Sequence, residues 1–104
     1  MHGNYHLEIL DTGQDPLSGK SADAFVHFEN GASYAVTLFT LEGIRMIMEK
    51  DVQTGECAGG AYFTCVDLLV LKQIDADHFR LAVDDLLKSG EFESVFIRCR
   101  VDNE

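Results

Sequence analysis

Apolar and polar residues alternate along Tyr5-His6-Leu7-Glu8-Ile9-Leu10, the two-residue period of a half-buried β-strand. Residues 11–23 break that pattern with Gly13, Pro16, Ser18, Gly19 and Ser21, and read as a long loop. Alternation resumes in two runs, Ala24–Glu29 and Ala32–Phe39, separated by Asn30-Gly31. This predicts a β-hairpin, because Asn-Gly tolerates the positive φ that a type I′ turn needs at both central positions. With that two-residue turn, Glu29 faces Ala32, Phe28 faces Ser33, His27 faces Tyr34, Val26 faces Ala35 and Phe25 faces Val36.

The period then changes. Leu41, Ile44, Ile47 and Met48 form one stripe of a helix over about 41–50, capped by Thr40. Glu42 in the first turn and Lys50 in the last suit its dipole. Residues 51–60, ending in Glu-Cys-Ala-Gly-Gly, read as a second loop. Tyr62–Leu71 reads as a strand, and the run Leu68-Leu69-Val70-Leu71 predicts burial on both faces. Asp75 caps a second helix over about 76–89, where Phe79, Ala82, Val83, Leu86 and Leu87 make an apolar stripe. Ile74 and Phe79 suit a hydrophobic staple, and Gly90 supplies the C′ position. Residues 92–101 fit a helical period and a strand about equally, and are read as one helical turn followed by a short final strand.

The order β-β-β-α-β-α, with a final β, predicts a single α+β domain over residues 1–104. A mostly antiparallel sheet would have its two helices packed on one face. Alternation assigns Val26, Phe28, Ala35 and Phe39 to the helix side and leaves Phe25, His27, Tyr34 and Val36 on the other.

Charge changes the picture of what such a domain contacts. Eight Lys and Arg face eighteen Asp and Glu, a net charge of −10. A surface that grips a phosphate backbone needs clustered cations, so nucleic acid is not an expected partner. No apolar run approaches the ~20 residues of a membrane-spanning helix, and the start lacks a signal-peptide pattern, so the expectation is a cytoplasmic protein without a membrane partner. Cys57, Cys65 and Cys99 are odd in number and lack C-x-x-C spacing, which predicts free thiols. In size and charge the chain is similar to small acidic bacterial cytosolic proteins, some of which are immunity proteins that neutralise basic toxins. No motif carries that likeness further.

Candidate chemistry is sparse. Gly55–Gly60 is glycine-rich but lacks the G-x-x-x-x-G-K-[ST] phosphate loop, and Asp11–Asp15 lacks the EF-hand pattern. Cys57 has no basic neighbour to make it a nucleophile. No cofactor is expected. The expected function is a non-enzymatic protein-interaction module that binds or inhibits a basic protein. Its contact surface would be the open sheet face around Phe25, His27, Tyr34 and Asp67, or the acidic stretch from Asp75 to Glu93 with Asp84 and Asp85. The alternative is a small metal-binding protein or enzyme that uses His6, His27 and Asp67 on the open face. A homodimer through an exposed edge strand is a third expectation.

Overall fold

The computed structural model describes residues 4–10 and 19–99. The strands are β1 (Tyr5–Leu10), β2 (Ser21–Phe28), β3 (Ser33–Phe39), β4 (Leu68–Val70) and β5 (Ile97–Arg98). The helices are α1 (Leu41–Thr54), α2 (Glu56–Gly60), α3 (Ala76–Ser89) and α4 (Phe92–Val95). The fold is therefore α+β with an open, mostly antiparallel sheet. Its order is β1-β2-β3-β4, and β5 pairs with β3 on the same edge as β4. The β3–β4 pair is parallel, which requires the crossover that α1 and α2 provide. The segment Asp11–Asp15 and the last acidic residues, Asp102 and Glu104, lie outside the described residues.

The hairpin departs from its expected register. Val26 pairs with Tyr34, Phe25 with Ala35 and His27 with Ser33. The loop has three residues: the Gly31 N–H donates to the Phe28 carbonyl, and the Phe28 N–H to the Ala32 carbonyl. Gly31 alone in the loop has positive φ, at 92°. Asn30 stays right-handed and uses its side chain, whose Oδ1 accepts the Ala32 N–H at 2.9 Å. This is a type I turn closed by a left-handed glycine. A shift of one residue moves each β3 side chain to the opposite face. Tyr34 and Val36 therefore join Val26 on the helix side, while Ala35 and Phe39 face away. Phe39 is still buried, edge-on to Phe63 at 5.0 Å.

The core lies between that sheet face and α3 with α4. Ala24, Val26, Tyr34, Val36, Leu38 and Leu71 meet Phe79, Val83, Phe92 and Phe96. The boundaries of α3 follow its caps. Asp75 Oδ1 accepts the His78 N–H at 2.8 Å, and Gly90, at φ 81°, donates its N–H to the carbonyls of Leu86 and Leu87. The expected strand Tyr62–Leu71 is shorter. Only Leu68–Val70 pairs, and Val70 is exposed; among the described residues β4 has one neighbour, not two.

The two long helices use the sheet differently. α1 is capped by Thr40, whose Oγ1 accepts the Gly43 N–H at 3.0 Å, and runs four residues beyond the expected Lys50. Its buried residues are Gly43 and Asp51, and it gives no side chain to the core cluster among the described residues. Of its expected stripe, Leu41 is 76% exposed and Ile44, Ile47 and Met48 are half-buried, while Val52, further along the helix, is 66% exposed.

After α1 the chain makes a left-handed turn. Cys57 and Ala58 have φ of 50° and 54°, between the positive-φ glycines Gly55 and Gly59. A Cβ in left-handed conformation costs about 1–2 kcal/mol. Ala58 is exposed, so Ala58→Gly removes that cost and loses no packing. We expect a net gain of about 0.5–1 kcal/mol after the larger unfolded-state entropy of glycine. Chemical denaturation checks this; a loss would mean that the turn is not left-handed there.

Candidate functional site

The face away from α3 carries a hydrogen-bonded chain of side chains. β2 sits between β1 and β3, so His27 has His6 as its cross-strand partner on one side and Ser33 on the other. Its Nδ1 lies 2.8 Å from Ser33 Oγ and its Nε2 2.9 Å from Glu8 Oε1. A carboxylate can only accept, so the neutral tautomer that satisfies both bonds carries its proton on Nε2 and accepts a hydrogen bond from the Ser33 hydroxyl at Nδ1. The His6 ring lies 4.8 Å from that of His27, tilted by 31°, and Phe25 stacks on His27 at 6.0 Å between centroids.

A serine, an imidazole and a carboxylate in that order have the polarity of an activated nucleophile. Acyl transfer also needs donors aimed at the developing oxyanion. Two backbone donors beside Ser33 are already engaged: the Ala32 N–H binds Asn30 Oδ1, and the Cys99 N–H binds the Ser33 carbonyl. The chain of bonds acts as a clamp across β1, β2 and β3.

The expected open-face residues separate. Phe25 and His27 share this face with His6 and Glu8. Tyr34 is on the other face, 9% exposed, for the register reason given above. Asp67 precedes β4, whose Leu68 pairs with Thr37, four residues along β3 from Ser33; that is about 13 Å at strand spacing. There Asp67 Oδ1 accepts the Thr37 hydroxyl at 3.1 Å and the Cys65 thiol at 3.3 Å, and its carbonyl accepts the Thr37 N–H. It ties the start of β4 to β3. Among the described residues, no three His, Cys, Asp or Glu side chains are grouped to hold one metal ion.

Asp84 and Asp85 are exposed on α3. With Asp77, Leu81 and Lys88 they fall on the helix's outer stripe, opposite buried Phe79 and Val83. Leu81 is 68% exposed at its centre. Glu91 and Glu93 extend the acidic surface beyond Gly90. Asp84 also accepts the Tyr5 hydroxyl, and the Arg80 guanidinium lies 5.2 Å from the Tyr5 ring centroid.

Burial, and then the hydrogen bond and charge of Asp84, push Tyr5 up to about 12, against an opposing pull from Arg80. The folded chain thus holds this proton more tightly than the unfolded chain. The resulting stabilisation is complete below the ordinary tyrosine value of 10.0 and is lost as pH rises from there to about 12. A phenolate absorbance titration should place one tyrosine near the top of that window, and Tyr5→Phe should abolish that step. Persistence of the step in Tyr5→Phe would assign it elsewhere.

Two features were not legible from the sequence. Leu41, Ile44 and Met48 of the expected α1 stripe, with Val52 and Gly60, line an open groove. The stripe's spacing marks an apolar face and predicts core; only Gly43, a glycine inside a helix, hints that the opposite side is the one in close contact. The second is Asp51, buried on α1. The Cys57 thiol hydrogen-bonds to it and is pushed up, first by burial and then by the Asp51 and Glu56 charges. That direction leaves Cys57 a thiol, not a nucleophile. Cys57, Cys65 and Cys99 are all free. Compared with known proteins, the chain matches no family model, no curated protein and no solved structure.

Proposed function

We propose that this chain is a non-enzymatic interaction module for a basic protein. The observation that carries the reading is the outward apolar stripe of α1. A helix that leaves Leu41 and Val52 in water, beside partly exposed Ile44 and Met48, offers a row of apolar side chains to a partner. Glu42 and Glu49 both pair with Arg45 along this helix, so the flank of the groove is acidic overall.

Charge supplies the choice of partner. At −10 the molecule repels other acidic proteins and attracts basic ones. The carboxylates of α3 and the segment after it add to that field. They would speed association at low salt, while the apolar stripe would set the residence time.

The test uses the immobilised protein against lysate of its source, with washes of rising ionic strength. A basic protein should be retained at low salt and released as charges are screened. The triple variant Asp77→Asn/Asp84→Asn/Asp85→Asn should retain less of it at each salt. Equal retention by the variant, or a retained set with no basic member, would contradict the charge component.

A further inference from the structure

Among the described residues the sheet has one long unpaired edge. β1 pairs only with β2, while the opposite edge is divided between β4 and β5, three and two residues long. β1 offers six residues and contains neither the Pro nor the Lys that commonly keep an edge strand from pairing. The phase of its ladder decides which backbone groups are left over. The Glu29 N–H donates to the Asn4 carbonyl at 3.0 Å, and the register continues with His6 opposite His27, Glu8 opposite Phe25 and Leu10 opposite Asp23. In an antiparallel ladder these alternate residues direct both backbone groups to β2, so Tyr5, Leu7 and Ile9 turn theirs outward.

We infer that β1 pairs with β1 of a second copy of this chain, antiparallel and centred on Leu7. Only residues with outward backbone groups can exchange hydrogen bonds, so Tyr5, Leu7 and Ile9 must meet one another across the two-fold. The arrangement that engages all of them sets Leu7 opposite Leu7 and Tyr5 opposite Ile9.

The side chains select the same register. His6 and Glu8 are exposed on the open face, and His6 of each copy then stands opposite the partner's Glu8. These are non-hydrogen-bonded pairs, about 4.5 Å between Cα atoms, where facing side chains come closest. The Glu8 carboxylate is already held at the edge by His27 Nε2, 2.9 Å from its Oε1. The neighbouring registers of the same phase lose this complementarity: one sets Glu8 opposite Glu8, the other His6 opposite His6. On the other face Tyr5, Leu7 and Ile9 are half-buried against the core. Leu7 on Leu7 and Tyr5 on Ile9 would carry that apolar layer across the two-fold. The charge of −10 on each copy acts against the contact, so the dimer is weak and forms best where salt screens that repulsion. The seam uses no residue of the α1 groove and is independent of the docking surface proposed above.

The experiment is analytical ultracentrifugation of the full chain at about 0.15 M salt and about pH 8, where histidine is ordinarily neutral. It is joined to residue-resolved exchange of amide protons with water. The expected result is a monomer–dimer equilibrium with a Kd of about 10–100 μM, as suits an interface at the small end of the range. His6→Glu, at an exposed position, sets carboxylates opposite carboxylates and should raise the Kd at least about tenfold. Gln73→Glu adds the same charge at an exposed position beyond β4 and should leave the Kd within about twofold, and His6→Lys should not raise it. At ten times the Kd only about a fifth of the chains remain single. Exchange at Tyr5, Leu7 and Ile9 should then be about fivefold slower than in His6→Glu, while Glu8 and Leu10, bonded to β2, exchange alike in both. A monomer at about 1 mM would overturn the assignment. So would slow exchange at Tyr5, Leu7 and Ile9 that persists in His6→Glu, or weakening by Gln73→Glu or His6→Lys as large as that by His6→Glu.

Discussion

Phe79→Ala should lower stability by about 3–5 kcal/mol, the range for removing a fully buried phenylalanine from a packed core. Phe79 is 0% exposed and stacks on Phe96 at 6.3 Å with 13° between planes. It is the largest of the fully buried side chains, and it joins α3 to the sheet. Domains of this size hold only about 5–15 kcal/mol in total, so the loss takes a large share of the stability, and nearly all of it at the lower end of that range. Urea denaturation measures the loss directly. Phe79→Leu keeps much of the volume and should cost under about 1.5 kcal/mol. A loss below about 1 kcal/mol for the alanine variant would mean that α3 does not close the core.

Gly43→Ala should destabilise the protein, against the ordinary preference of helices. At an open helical position this change gains about 1 kcal/mol. Here a Cβ would lie 2.1 Å from the Lys20 carbonyl oxygen and 2.9 Å from its carbon. Both are backbone atoms, and neither can swing aside as a flexible side chain can. The same oxygen accepts the Thr40 N–H at 3.0 Å, which joins the start of α1 to the entry of β2. Moving it loosens both. The expected outcome is a loss of about 1–3 kcal/mol, as for an overpacked interior site. A gain in thermal midpoint would show that α1 does not approach Lys20 so closely.

Signals that act within a few residues were the ones that could be read from the chain. Asp75 and Gly90 bracket α3 because capping is local chemistry, and the alternation of Tyr5–Leu10 marks β1 for the same reason. The helical turn and short strand after Gly90 likewise match α4 and β5. The hairpin was legible as a hairpin but not in register. Asn-Gly suits both a two-residue turn with Asn30 left-handed and a three-residue turn with Asn30 as side-chain acceptor, and the difference of one residue decides which face Tyr34 takes. Ser33 joined His27 through that same shift, so the Ser33–His27–Glu8 chain was only partly visible: His27 fell on the open face, with the serine misplaced.

The orientation of α1 lies beyond what periodicity can give. A stripe of Leu41, Ile44, Ile47 and Met48 identifies an apolar face but not whether the chain itself supplies a cover for it. Helices α1 and α3 carry similar patterns, yet one buries Phe79 and Val83 and the other buries Gly43 and Asp51. The close approach of Gly43 to Lys20 fixes the second arrangement, and that approach is made between segments more than twenty residues apart in sequence.

The reading of α1 as a docking surface is tested most directly by the double variant Leu41→Ser/Val52→Ser. Both side chains are exposed, so their loss should leave the thermal midpoint close to that of the parent, within the ±0.5 kcal/mol usual for surface changes. The measurement is the amount of the basic protein retained by the immobilised variant at low salt. The predicted result is a fold of unchanged stability that retains little of the partner. Full retention by the equally stable variant would contradict docking through α1.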